Sequence, residues 1–149
     1  MNNRVEALKT LLELDEDDIV IPDVYENNLF KVGNKEYLVL TEKEANEKAR
    51  YEIEQELWAF KPQFILSHNK NTEEMNHWEY DEAIQALSAA QSKSAEALNG
   101  LVRCLITDLD EFVEDAICED GRGHFLAWYD GDENEQEIDG TTYYIYRTN

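Results

Sequence analysis

The stretch Leu29-Phe-Lys-Val-Gly-Asn-Lys-Glu-Tyr-Leu-Val-Leu-Thr-Glu-Lys-Glu-Ala45 decides the fold. Leu29 to Val32 and Lys35 to Leu40 are strand-like runs on either side of Gly33-Asn34, the pattern of a β-hairpin. Thr41-Glu42-Lys43-Glu44 then has the form of a capping box, so a long helix is predicted to follow. Ala45, Ala49, Ile53, Leu57 and Phe60 mark its buried stripe, Trp58 widens it, and Pro62 stops or kinks it.

Upstream, Val5, Leu8, Leu11 and Leu12 recur at helical spacing and predict a short first helix ending at Asp15-Glu16-Asp17-Asp18. Ile19 to Val24, with Pro22, reads as an extended piece. Downstream, Phe64 to Leu66 is an apolar turn before a polar loop, and Thr72 opens a helix to about Gln91, followed by a small polar turn to Ser94. Leu98 to Ile117 is the strongest helical pattern, with Thr107-Asp108-Leu109-Asp110 as a possible restart and Gly121 as a C-terminal cap. Its apolar face, with that of Ile53 and Leu57, is the expected core. His124 to Tyr129 and Thr141 to Thr148 read as strands of a C-terminal hairpin around an acidic loop. The expectation is one acidic α+β domain over residues 1–149, a central helical bundle with a β-hairpin near each end.

The chain has 149 residues, with 34 acidic against 13 basic, and a net charge of −21. Hydrophobic residues make up 42%, including 3 Trp, 8 Tyr and 5 Phe, enough apolar material for a core and against wholesale disorder. Direct nucleic-acid binding needs clustered Lys and Arg, and the excess here has the opposite sign. Anionic membrane surfaces are disfavoured for the same reason, and no apolar run approaches a membrane span. The opening Met-Asn-Asn-Arg carries no signal core, so a cytoplasmic location is expected. Cys104 and Cys118 lie in one helical pattern, about 21 Å apart at 1.5 Å per residue, and are read as buried free thiols.

The charge is uneven. Residues 1–50 hold 7 basic and 12 acidic residues, 51–100 hold 3 and 9, and 101–149 hold 3 and 13. No catalytic signature stands out against this background. Cys118 and His124 lack a third partner for nucleophilic catalysis. Asp130-Gly131-Asp132-Glu133-Asn134-Glu135 is rich in oxygen ligands, but its glycine is misplaced for a calcium loop. His68 and His77 lack zinc-ligand spacing and read as surface residues. No enzymatic activity, cofactor or metal is expected.

What remains is the acid pattern. Asp108, Glu111, Asp115 and Glu119 step by three and four residues and stay within roughly 80° of one another on a helix. Such carboxylates lie roughly 5–6 Å apart, close to the separation of successive phosphates on a nucleic-acid strand. Asp130, Asp132, Glu133, Glu135, Glu137 and Asp139 add to the field, and Asp15 to Asp18 can extend it. These ten residues, Asp108 to Asp139, are the candidate partner-binding set.

The segments Val32–Ala45, Leu57–Phe60 with Phe64–His68, and Asp120–Glu133 with Tyr143–Asn149 resemble small acidic proteins encoded by bacteriophages and prophages, over about two-thirds of the chain. Ser67 to Lys93 has no counterpart. That family has no assigned activity, so the resemblance implies a phage origin and a bacterial cytoplasm, and no catalytic residue. Small acidic phage proteins often inhibit host defence by imitating nucleic acid in the basic groove of a restriction or CRISPR enzyme. The expected function is therefore inhibition of a basic, nucleic-acid-binding host defence protein by charge mimicry. Two alternatives stand beside it. One is a phage interaction module with an apolar contact through Trp78, Trp128 or the C-terminal tyrosines. The other is an immunity-type protein that neutralises a basic toxin.

Overall fold

A computed structural model describes residues 2–149. Asn2 caps the first helix, α1 (Asn3–Leu11), by accepting from Arg4 N with its side chain. The apolar residues of α1 meet a five-stranded antiparallel sheet. Its strands are β1 (Ile21–Pro22), β2 (Leu29–Val32), β3 (Lys35–Leu40), β4 (Asn134–Ile138) and β5 (Thr141–Arg147), in the order β1-β2-β3-β5-β4. Val32 pairs with Lys35, which leaves Gly33-Asn34 as a two-residue turn. Gly33 has φ 63° while Asn34 does not share the positive φ, the type II′ geometry that matches strand twist. Ile138 pairs with Thr141 across Asp139-Gly140, where both φ values are positive, at 50° and 81°. Both hairpins thus belong to one sheet, joined where β3 pairs with β5 through Val39–Ile145 and its neighbours.

Alternation sorts the sheet residues. Phe30, Tyr37, Val39, Ile138, Tyr143 and Ile145 form one buried cluster with Ala7 and Leu8 of α1. Leu29, Leu38, Leu40 and Tyr146 are buried on the opposite face. The α+β class follows directly: helices and an antiparallel sheet, with α1 packed on it.

The chain forms two compact units, one of residues up to Tyr51 with Asp120–Asn149, the other Glu52–Glu119. The sheet, α1 and α7 (Arg122–Leu126) lie in the first. The second is helical, with α3 (Pro62–Ser67), α4 (His77–Ser94), α5 (Asn99–Leu105) and most of α6 (Leu109–Asp120). The helix α2 (Glu42–Gln55) contains the boundary.

Several sequence expectations shift. The capping box at Thr41 forms, with Glu44 Oε1 accepting from Thr41 N at 3.0 Å. However, α2 ends at Gln55, and Leu57–Ala59 is a turn of 3-10 helix. Pro62 does not end that helix; it opens α3, where its missing N–H costs nothing. Helix α4 starts at the capping box of Asn76 and Glu79 instead of at Thr72, and continues through the predicted turn to Ser94. The long pattern from Leu98 to Ile117 is broken at Ile106, whose ψ is 118°. The break is held from α3: Thr107 N donates to His68 O at 2.9 Å, and Asn69 Nδ2 donates to Leu105 O at 2.7 Å. Cys104 and Cys118 consequently sit on different helices, and both are exposed, not buried.

The largest correction concerns His124 to Tyr129, which is not a strand. Arg122–Leu126 is the short helix α7, entered through Gly121 at φ 80°. The partner of β5 is Asn134–Ile138, so the second half of the predicted acidic loop is strand. A two-residue turn at Asp139-Gly140 dictates that register, because only the residues immediately before it can fold back on β5.

In the helical unit, Phe112 is fully buried, and its ring lies 5.0 Å from Phe60, 4.8 Å from Phe64 and 5.0 Å from His68, all edge-on. Edge-to-face pairs add to area burial. We expect Phe112→Ala to cost about 3–5 kcal/mol, the range for buried aromatic truncation, in denaturant melts; a loss under about 1 kcal/mol shows that this cluster is not a core. Deleting residues 141–149 removes the strand that joins β3 to β4, and the sheet unit should then lose its cooperative melting transition.

Candidate functional site

Twelve residues of α6, Leu-Asp-Glu-Phe-Val-Glu-Asp-Ala-Ile-Cys-Glu-Asp, bury Phe112, Val113 and Ala116. Asp110, Glu111, Glu114, Asp115, Glu119 and Asp120 are all exposed, and the helix has no basic residue. The predicted row occupies this helix, with one difference. Asp108 stands just before it and caps it, its Oδ1 accepting from Glu111 N at 3.2 Å. Glu111, Asp115 and Glu119 follow along the exposed surface. Asp110 and Glu114 add a flank that the three-and-four spacing of the row passes over.

Asp115 has a neighbour that the sequence did not announce. His68 Nε2 lies 3.1 Å from Asp115 Oδ2. The His68 side chain is only 8% exposed and packs against Phe64 and Phe112. It is a core histidine with one polar edge outward, which corrects its surface assignment. His77, 95% exposed beside Asp81, is at the surface as expected.

The second half of the predicted set belongs to the sheet unit, and its members differ in kind. Asp130 and Asp132 are exposed, and Asp130 Oδ1 accepts from Asp132 N at 3.0 Å, a tight Asx turn. Glu135 and Glu137 alternate outward on β4, opposite Tyr144 and Thr142. Asp139 is a turn residue in left-handed backbone. Glu133 is not available to a partner. Arg122 grips it in a fork, Nε to Oε2 at 2.9 Å and Nη2 to Oε1 at 2.9 Å, and the Tyr146 hydroxyl donates to Oε2 at 2.6 Å.

Arg122 is the centre of this arrangement. Its side chain is 9% exposed, lies 3.2 Å from Glu42, donates to Asn46 and stacks on the Tyr144 ring at 4.4 Å. Burial opposes the Arg122 charge, but Glu133 and the neighbouring carboxylate Glu42 hold its pKa above the ordinary value. Burial likewise opposes ionisation of Glu133, but hydrogen bonds from Arg122 and Tyr146 outweigh it and keep its pKa below 4.5. Burial, then the bond to Glu133, push the Tyr146 hydroxyl well above 10. This constellation is structural: every charged member has a protein partner.

Near the N-terminus, Asp15 N donates to Asp18 Oδ2 at 2.7 Å, and Lys9 Nζ donates to Glu16 O at 2.9 Å. Of the aromatic residues named for an apolar contact, Trp78 and Trp128 are exposed at 71% and 58%, whereas Tyr143 and Tyr146 are buried. Four further apolar residues lie in an exposed run that the sequence reading treated only as an extended piece: Ile19, Ile21, Val24 and Tyr25. Among the described residues, no group of three or more His, Cys, Asp or Glu is arranged to hold a metal. No helix is long and apolar enough to cross a membrane among the same residues. No protein-family model matches the chain, and neither a curated protein nor a solved structure matches it.

The network sets the pH response. Glu133 has a lowered folded pKa, so its contribution is present above 4.5 and is lost as pH falls below it. Tyr146 has a raised folded pKa, so its contribution holds below 10 and declines as pH rises beyond. We expect Glu133→Gln to flatten the acid limb of the stability profile and Tyr146→Phe the alkaline limb, in urea melts across pH. Arg122→Ala leaves Glu133 without its cation; it should cost about 2–3 kcal/mol, less than for a fully buried pair, because Glu133 is 27% exposed.

Proposed function

We propose that this chain is a non-enzymatic, phage-encoded acidic protein of the bacterial cytoplasm that binds a host nucleic-acid-binding defence protein and blocks its groove by imitating nucleic-acid charge. The observation that carries the reading is α6: six exposed carboxylates in twelve residues without a single cation. The helix dipole favours only Asp110 and Glu111, in the first turn. Glu111 with Asp115, and Asp115 with Glu119, are like-charge pairs at i,i+4, each unfavourable by about 0.2–0.5 kcal/mol. Glu119 and Asp120 sit at the helix C-terminus, where the dipole repels negative charge. A surface that opposes its own helix is the signature of a site selected for something other than stability.

The mechanism is electrostatic. Carboxylates along the helix attract Lys and Arg of a groove built for phosphates, and a chain at −21 steers that encounter over long range. Exposed charges are screened beyond about 10 Å at 0.1 M salt, so association depends steeply on ionic strength. Asp130, Asp132, Glu135 and Glu137 supply exposed carboxylates in the sheet unit.

The test is a host defence nuclease retained on the immobilised protein at low salt. The triple variant Glu111→Gln, Asp115→Asn, Glu119→Gln leaves the Asp108 cap in place. It should keep the parent fold, since Asp115→Asn leaves an amide oxygen facing His68, and associate about tenfold more slowly at low salt, with a flatter salt dependence. Duplex DNA should compete with the parent protein for the nuclease. An unchanged association rate, or a ternary complex with DNA, overturns the reading.

A further inference from the structure

The free edge of the sheet carries a second feature of a different kind. Ile19, Ile21, Val24 and Tyr25 are exposed at 74, 55, 88 and 98%. Four large apolar residues exposed within seven positions are more than the scattered single ones ordinary on a surface. This stretch is not a loose loop. Asp23 Oδ1 accepts from Tyr25 N and Glu26 N, both at 2.8 Å, and Asp23 N donates to Leu29 O at 2.8 Å. Lys31 lies 3.6 Å from the other Asp23 oxygen. The turn therefore fixes the backbone that carries Val24 and Tyr25 outward.

The same turn leads into a cleft of about 380 Å³, lined by Glu26, Asn28, Leu40, Glu44, Glu47 and Tyr51 among others. Asn28, in left-handed backbone, donates to Glu44 Oε2 at 2.8 Å and so sets one wall. Arg4 pairs with Glu44 at 2.9 Å, and Lys48 with Glu26 at 3.1 Å. Glu47 is 66% exposed and lies 3.9 Å from Lys43, and Tyr51 is 58% exposed. An aromatic ring beside a carboxylate is a seat for a cationic side chain. Strand addition does not explain the feature, since Pro22 offers no N–H and β1 is two residues long. A second copy does not suit it either, because two chains at −21 repel.

We propose that the Val24–Tyr25 turn and the adjoining Tyr51 cleft form an apolar anchor for a basic partner, seating a Lys or Arg against Tyr51 and Glu47 while the partner's apolar residues cover Val24 and Tyr25. The proposal rests on the reading that the partner is basic. It adds a short-range contact that holds the complex after charge has brought it together.

The test is an amide NMR titration of the full chain with two synthetic peptides of equal charge, one of arginine and leucine, one of arginine and glycine. The leucine peptide should shift Val24 to Asn28, Lys48 and Tyr51, and bind about tenfold tighter than the glycine peptide, as a hot-spot aromatic contact implies. Tyr25→Ser and Tyr51→Ser, both at exposed positions, should each remove most of that advantage without changing the melting curve. The glycine peptide should move α6 amides alone. If both peptides move α6 equally and leave residues 24–28 and 51 unmoved, or if the leucine peptide settles at Trp128, the anchor is refuted while charge recognition stands. If neither peptide moves any amide in an acidic segment, recognition of basic partners fails, and the anchor with it.

Discussion

The fork between Arg122 and Glu133 is the interaction on which the sheet unit depends. Arg122 reaches Glu133 before β4, Glu42 and Asn46 at the start of α2, and the face of Tyr144 on β5. Tyr146 adds its hydroxyl to the same carboxylate from inside the sheet. Four elements meet at one guanidinium, which only a planar, multi-donor cation can satisfy. The approach of backbone beside it is equally tight. A Cβ on Gly123 would stand 2.3 Å from the Gly131 carbonyl, so α7 and the Asp130–Asp132 turn come together only through glycine.

Cations are scarce in this chain, and their placement is telling. Arg4 holds Glu44 and the Val39 carbonyl, Lys31 sits between Asp23 and Glu36, and Arg147 covers the Tyr129 ring at 3.5 Å. Each of these pins an element of the sheet unit. The sequence of α6 holds six carboxylates and no basic residue of its own. Stability in the helical unit comes instead from aromatic packing around Phe112, a term indifferent to salt and to surface charge. A fold built this way tolerates a strongly acidic surface because its core does not rely on that surface.

The proposed complex combines two kinds of recognition. In the proposed complex, carboxylates on α6 act over distance and govern the rate of encounter. The proposed Val24–Tyr25 anchor acts only on contact and governs how long that complex lasts. Charge alone gives fast, salt-sensitive and rather indiscriminate association. An anchor of shaped apolar surface supplies the selectivity that a row of like charges lacks.

Local chemistry made much of this legible in the residues. The β2–β3 hairpin, the Thr41 capping box and the strand β5 need only neighbours in the chain, so turn type, capping and alternation specify them. The exposed row on α6 also followed from spacing. What escaped depends on groups far apart in sequence. The strand-like run at His124 lies instead in α7, whose Arg122 reaches Glu133, Glu42 and Asn46. The restart at Thr107 to Asp110 was legible, but not that His68 and Asn69 hold the break by claiming backbone groups of Thr107 and Leu105. Glu133 left the set of free carboxylates for the same reason. The exposure of Val24 and Tyr25 emerged only when the flanks of their turn folded away and left it outside. Sequence determined the net charge, the periodic elements and the acid row, because these are sums and spacings along one chain. Tertiary structure decided which carboxylates remain free and which apolar residues stay exposed, because burial and ion pairing are settled between distant segments.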